Sequence, residues 1–374
     1  MHPEFQQLMH QATQLTRSGD LAAATAAIQA ALRGGPPAVL RRQDDVDVSD
    51  VIDVIDVEAW EVPDSARAPD TARDIPGDAA RPAPKPAVSG DTFSAGSFRN
   101  SSGQRAYKLY VPPNPNPDGA PRPLVVMLHG CTQDADDFAA GTAMNEAARE
   151  QGFYVLYPVQ SRNANPQKCW NWFKHNHQQQ GRGEPSILAG MTREVMAAHP
   201  IDPARVYVAG LSAGGAMAAI LAGAYPELYA AAGVHSGLAA GAASDLPSAL
   251  SAMKGAGLAP AGQAGSGVPT IVFHGDRDAT VHPGNAESVI AASAGAGARA
   301  ETQRVAGATG KRHSTRHVYR NAAGDIVAER WDVHGAGHAW AGGTPNGSYT
   351  DGAGPDATAQ MLRFFFERGS AGKH

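Results

Sequence analysis

Cysteine is almost missing from this chain: 374 residues contain only Cys131 and Cys169. Two cysteines are too few for a disulfide-built scaffold, and no Cys/His cluster has the spacing of zinc ligands. There is no G-x-x-x-x-G-K-[ST], and no G-x-G-x-x-G opens a helix after a strand. The sequence therefore predicts neither a metal nor a cofactor. An excess of basic charge is also lacking. The formal net charge is −5, which argues against a nucleic-acid partner. No apolar run approaches the ~18 residues of a membrane span. The opening Met1-His2-Pro3-Glu4-Phe5-Gln6-Gln7 has neither the basic start nor the apolar stretch of a secretory signal. The expected compartment is the cytoplasm, with export by a route that needs no such signal as the alternative.

What the chain does hold is apolar side chain and glycine: 43% hydrophobic residues and 42 glycines. The length allows one large core plus additions. Residues 1–34 read as a helical hairpin. Asp20 is placed to cap Leu21–Leu32, and Leu8, Ala12 and Leu15, then Ala22, Ile28 and Leu32, give each helix an apolar stripe. One such hairpin cannot bury its own face, so it needs to dock on the main domain or on a partner. Residues 35–90 read as a disordered linker, alternating acid and aliphatic from Asp44 to Val57, then rich in Pro, Ala and Asp. The plain interpretation of that stretch is a solvated tether; a binding strip is the alternative.

Residues 91–370 form the third region, where strand and helix patterns alternate. Strands are expected at Ala106–Val111, Leu124–Leu128, Tyr154–Tyr157, Val206–Ala209, Ala231–Val234 and Thr270–Phe273. Helices are expected at Asp136–Gln151, Ser186–His199, Ser212–Tyr225, Pro283–Ala294 and Asp356–Arg368. This order implies an α/β fold with a mostly parallel, doubly wound sheet. Val318–Tyr319 and Ile326–Val333 flank a polar turn and read as a hairpin.

The most informative segment is Arg205-Val206-Tyr207-Val208-Ala209-Gly210-Leu211-Ser212-Ala213-Gly214-Gly215. It gives an apolar strand, then G-x-S-x-G, then a small-residue helix. Roughly one chain in four with this glycine content would carry the bare pattern by chance. The flanks make it a nucleophile elbow of the α/β-hydrolase type, in which a strained turn presents a serine hydroxyl above a sheet. A Cβ at Gly210 or Gly214 would collide with crowded backbone.

A serine needs a histidine to take its proton and a carboxylate to orient that histidine, in the chain order Ser, Asp or Glu, His. The strand ending in Phe273-His274-Gly275-Asp276-Arg277-Asp278 offers two acids. Asp278 is preferred, with Asp276 holding the turn or pairing with Arg277. His338, in the glycine-rich loop before the last helix, is the preferred base, and His334 is its rival. The oxyanion donors are expected to be the N–H groups of Ala213 and Cys131, the latter in Leu128-His129-Gly130-Cys131 after an earlier strand. His129 is expected to brace that loop. His235 either lines the pocket or is a hydrogen-bonded structural residue.

These motifs, with Cys169-Trp170-Asn171-Trp172-Phe173 and Gly337-His338-Ala339-Trp340, resemble the poly(3-hydroxybutyrate) depolymerase-like esterases of the α/β-hydrolase superfamily. They are also similar to carbohydrate esterases that remove feruloyl or acetyl groups. The resemblance spans roughly residues 93–368. It implies Ser212 as nucleophile, Asp278 as acid, His338 as base and Cys131 at the oxyanion hole. It also implies a Cys131–Cys169 disulfide, whereas the missing signal pattern implies free thiols. Trp170, Trp172 and Trp340, with Phe173, either contact substrate or pack in the core.

The function expected is a serine carboxylester hydrolase working through an acyl-enzyme, on polyhydroxybutyrate or short hydroxyacyl and acyl esters. Feruloyl or acetyl-sugar esters are the alternative substrates. Secreted depolymerases carry a signal peptide and a polymer-adsorbing domain, neither of which is visible here, so a soluble ester, an oligomer or an intracellular polymer fits better. The rival from another class is a catalytically weak protein that binds a polymer or partner through the hairpin.

Overall fold

Aliphatic runs too apolar for any surface form the centre of a ten-stranded sheet. The computed structural model describes residues 90–113, 119–256, 267–295 and 297–369. The expected hairpin at 1–34, and the linker at 35–90 apart from Gly90, lie outside the described residues. The first strands are β1 (Thr92–Asn100), β2 (Gly103–Val111) and β3 (Arg122–Leu128). Helices α1 (Ala135–Thr142) and α2 (Met144–Gln151) lead to β4 (Tyr154–Val159). Then come α3 (Gly183–Ala198), β5 (Ile201–Leu211), α4 (Ala213–Ala224), β6 (Ala231–His235), α5 (Leu246–Met253), β7 (Thr270–Gly275) and α6 (Gly284–Ala294). The chain continues through β8 (Arg299–Val305), β9 (Ser314–Arg320), β10 (Ile326–Val333), β11 (Trp340–Ala341), β12 (Thr350–Asp351) and α7 (Ala357–Gly369).

The sheet order is β1-β2-β4-β3-β5-β6-β7-β10-β9-β8. The pairs from β4 to β10 are parallel, and the two outer pairs at each end are antiparallel. Successive side chains of β3 serve opposite faces. Leu124, Val126 and Leu128 join α3 and α4 in one core, while Val125 and Met127 join α1, α2 and α7 in the other. Burial on both faces is why these strands read as unbroken apolar runs. Phe364 and Phe365 of α7 are fully buried, each stabilising the second core by ~1.5–3 kcal/mol.

The structure corrects the sequence reading in three places. The single helix expected over 136–151 is two helices, broken at Ala143, which sits in the left-handed region (φ 52°). The carbonyls of Gly141 and Thr142 are drawn out of the helix by Thr344 N–H (2.8 Å) and the Thr358 hydroxyl (2.7 Å). Strands β1 and β8 are additions at the two edges, and α5 is an additional helix between β6 and β7. The hairpin expected near 318–333 is present as β9 and β10.

Candidate active site

The C-terminal ends of β3, β5, β7 and the segment after β10 converge, as expected for ligand sites of open parallel sheets. Ser212 follows β5 with φ 58° and ψ −119°, a strained conformation for a residue with a Cβ. The turn is pinned by Ser212 N–H to His235 O (2.8 Å) and by Ala216 N–H to Ser212 O (2.9 Å). The flanking glycines are required sterically. A Cβ on Gly210 would stand 2.4 Å from Gly214 C, and one on Gly214 would stand 2.0 Å from Leu128 O. Ala213 opens α4, so its N–H is among the first four of a helix that lack an intrahelical acceptor.

The β3 loop lies beside the serine: a Cβ built on Gly130 would be 3.7 Å from Ser212 Cβ. Gly130 N–H donates to Gln133 Oε1 (2.9 Å) and Thr132 N–H to Gln167 O (2.7 Å). Between them, Cys131 N–H has no protein acceptor among the described residues. His129 braces this loop from beneath. It is buried, which lowers its pKa to about 4, and it accepts from Gln160 N–H (3.1 Å) while facing Gly130 O (2.7 Å). A neutral imidazole with its proton on Nδ1 satisfies both contacts.

Cys131 is joined to Cys169 by a disulfide. The Cys169 loop is held in turn by buried Glu184, which accepts from Asn171 N–H (2.7 Å) and pairs with Arg105 (3.0 Å). Burial alone would raise the Glu184 pKa, but the His177 imidazole, Gln160 and Asn171 N–H overcome it and lower the value to about 2. Gln160 completes the tie by donating to Cys169 O (3.0 Å).

Asp278 follows β7 and is buried. Its Oδ1 accepts from Thr280 N–H (2.9 Å) and Val281 N–H (2.8 Å), and its Oδ2 stands 2.7 Å from His338 Nδ1. His274 Nε2 lies 3.3 Å from the same Oδ2 and 2.9 Å from Val281 O. Burial opposes the charge on Asp278, yet hydrogen bonds from His274, His338 and Val281 N–H hold its carboxyl well below the usual carboxylate range. Asp276 makes a different pair, with His334 Nδ1 (2.9 Å) and Gly335 N–H (2.7 Å), on the exposed side of the turn. Asp278 thus faces two histidines, buried His274 and, at the shorter distance, part-buried His338, whereas Asp276 faces His334.

Two cavities meet at Ser212. One, about 210 Å³, is bordered by Ser212, His338, Gly130, Thr280 and Tyr349. The other, about 230 Å³, is bordered by Ser212, Ala213, Trp172, Phe173 and the inner side of α5. Of the expected substrate contacts, Trp172 and Phe173 border this second cavity. Trp170, Trp340 and His235 border neither of these two cavities. Trp170 is fully buried and donates to His129 O (3.1 Å). His235 is buried between Phe273 and Trp340, with ring centroids at 5.7 and 5.1 Å, and accepts from Ala341 N–H (2.9 Å). Burial holds the His235 pKa well below its ordinary value. Trp340 donates to Thr358 (3.1 Å). These three rings shape the site from behind.

The sequence reading missed Ala249, Leu250 and Met253 of α5, together with Thr280 and Tyr349. A signal for α5 was present. Asp245 and Ser248 form a capping box, and Leu246, Ala249, Leu250 and Met253 follow the i, i+3, i+4, i+7 spacing.

A strained serine at a strand-to-helix turn over a mostly parallel sheet defines an α/β-hydrolase. The solved acetyl xylan esterase from Aspergillus awamori shares this fold, with TM-score 0.55 at 18% identity over 73% of this chain and 99% of its own. Residues 105–316 match the family described as Esterase PHB depolymerase, and the chain belongs to that family. It is 34% identical over 243 residues to poly(3-hydroxyalkanoate) depolymerase C of Paucimonas lemoignei, covering 61% of this chain and 57% of that one. It is 31% identical over 210 residues to acetylxylan esterase A of Talaromyces purpureogenus, covering 50% and 52%. The chain thus spans little more than half the length of either relative.

Proposed function

We propose that the chain is a serine carboxylester hydrolase that works through an acyl-enzyme. The observation that carries this reading is the 2.7 Å contact between buried Asp278 and part-buried His338, which borders the same cavity as Ser212. Asp278 accepts the Nδ1 proton of His338, which leaves the Nε2 lone pair free to act as base. Ser212 Oγ attacks the ester carbonyl as His338 Nε2 takes its proton. The oxyanion forms between Cys131 N–H and Ala213 N–H. Its collapse breaks the acyl–alkoxide bond, and His338 returns the proton to the leaving alcohol. Water then repeats the sequence on the acyl-Ser212 ester and releases the carboxylic acid.

The preferred substrates are hydroxyalkanoate esters and short acyl esters, in keeping with the relative in Paucimonas lemoignei. Acetyl-sugar esters are the second reading, supported by the acetylxylan esterase relative. Among the described residues no helix is long and apolar enough to cross a membrane. The Cys131–Cys169 bridge supports work in an oxidising compartment rather than the cytoplasm.

The experiment is turnover by wild type and Ser212→Ala on hydroxybutyrate oligomers, p-nitrophenyl acyl esters, and acetyl and feruloyl sugars. Wild type is expected to hydrolyse the hydroxybutyrate oligomers fastest and Ser212→Ala to hydrolyse none. Turnover retained by Ser212→Ala would exclude the reading.

A further inference from the structure

We infer that the two cavities meeting at Ser212 divide the substrate: the one shared with His338 takes the alcohol, and the one under α5 takes the acyl group, with Met253 as the partition. The inference rests on the acyl-enzyme reading above and adds which wall sets which half of the specificity.

Proton transfer fixes the assignment. The leaving alkoxide has to receive its proton from His338, so its oxygen lies beside that ring and the rest of the alcohol extends into the cavity His338 borders. The incoming water needs the same base and enters by the same space once the alcohol has left. That cavity has suitable walls: Gln133, Thr280 and the Tyr349 hydroxyl are polar, and Tyr349 is 47% exposed at its rim. The carbonyl oxygen points at Cys131 N–H and Ala213 N–H. Only one direction remains for the acyl chain, the cavity on the Ala213 side.

The chemistry of that second cavity agrees. Trp172, Phe173, Leu238, Ala249, Leu250 and Val281 line most of it, a surface that would hold a hydrocarbon chain by burial. Asn165 and Gln167 on its border could pair the hydroxyl of a hydroxyacyl chain. Helix α5 turns its apolar stripe towards this cavity, and in consequence Leu246 and Leu250 stand 57% and 53% exposed. Exposed leucines on a stripe of core spacing mark an apolar surface suited to a ligand's hydrocarbon. Met253, at the last turn of α5, borders both cavities. Its carbonyl accepts from His282 N–H (2.8 Å), four residues past Asp278, and Ala252 O accepts from Asn285 Nδ2 (3.0 Å). The partition is therefore tied to the loop that carries the triad acid.

The test uses two ester series on the full chain: straight-chain acyl groups of increasing length on one alcohol, and alcohols of increasing size on acetate. Ala249→Leu narrows the inferred acyl cavity, and Thr280→Leu narrows the inferred alcohol cavity. Ala249→Leu is expected to lower the long-to-short acyl ratio of kcat/KM by roughly tenfold, the effect of a methylene or more in a fitted pocket, and to move the alcohol ratio far less. Thr280→Leu is expected to do the reverse. Leu250→Ala, at an exposed position, is a second variant should Ala249→Leu fail to fold, and it is expected to raise the long-acyl ratio. Crossed effects, with Ala249→Leu acting on alcohols, would overturn the inference, and so would equal shifts in both series. If the wild type hydrolysed no ester in either series, the acyl-enzyme reading itself would have failed, which is a distinct outcome.

Discussion

Replacing Asp278 by asparagine should disable His338 through its tautomer rather than its position. Asp278 Oδ1 accepts two backbone N–H groups, from Thr280 at 2.9 Å and Val281 at 2.8 Å, while Oδ2 faces His338 Nδ1 at 2.7 Å. In Asp278→Asn the amide oxygen stays with the two backbone donors, since leaving a buried donor unpaired costs ~1–3 kcal/mol. The amide nitrogen then faces His338 Nδ1. Two donors cannot face each other, so the imidazole shifts its proton to Nε2, the atom that has to accept the serine proton. Loss of the correct tautomer costs on the order of 10⁴ in kcat, about 5 kcal/mol of barrier. Asp276→Asn is the control. Asp276 pairs with His334 at the same kind of distance, 2.9 Å, but its side chain is 42% exposed. It should lose only the ~0.2–1 kcal/mol of stability that an exposed pair supplies, and keep most of its turnover. The assay is kcat and KM on p-nitrophenyl butyrate for both variants beside wild type, with melting temperatures to show that each is folded. A folded Asp278→Asn within tenfold of wild type, or an Asp276→Asn that is the inactive one, would refute the reasoning.

Three further outcomes are expected. Cutting the disulfide by Cys169→Ser, or by reducing the wild type, opens a loop of sequence separation 38, which the chain-entropy model values at about 4 kcal/mol. It should also lower kcat by releasing Cys131 N–H; an unchanged rate in fully reduced protein, verified by thiol titration, would contradict this. In acid, the depressed pKa of Glu184 means its contribution is complete above pH 4.5 and is lost as pH falls towards about 2, a loss of about 3 kcal/mol. Denaturant midpoints through that window should fall more steeply for wild type than for Glu184→Gln. Gly214→Ala should destabilise by more than ~4 kcal/mol because its Cβ meets Leu128 O at 2.0 Å, whereas Gly223→Ala, on the same helix with open space, should stabilise by ~0.5–1 kcal/mol in thermal melts.

The parallel centre of the sheet was legible because burial on both faces leaves almost no polar position. Leu124–Leu128 and Ile271–Phe273 are apolar throughout and lie within β3 and β7, and the one buried polar start, Thr270, bonds its hydroxyl to Val268 O. The edges were not legible for the opposite reason. β8, Arg-Ala-Glu-Thr-Gln-Arg-Val, is exposed along nearly its whole length, and its register comes from pairing with β9 alone. The break falls on Ala143, itself neither glycine nor proline, where distant Thr344 and Thr358 take the carbonyls of Gly141 and Thr142. At the site, Ser212, Asp278 and His338 stood out by motif and chain order, whereas Trp170, Trp340 and His235 show where sequence runs out. An aromatic near a motif can support the site from behind as readily as line it, and only the packing separates the two cases. Helix α5 had both its cap and its stripe in the sequence, but a stripe turned to a cavity looks the same as one turned to a core.

The central claim is that Ser212 is the nucleophile. Labelling with an organophosphonate ester, followed by intact mass and peptide mapping, addresses it most directly. One adduct per chain is expected, on the peptide containing Ser212, formed in step with loss of esterase activity and absent from folded Ser212→Ala. An adduct elsewhere in the chain accompanying inactivation, or labelling and turnover that persist in Ser212→Ala, would contradict it.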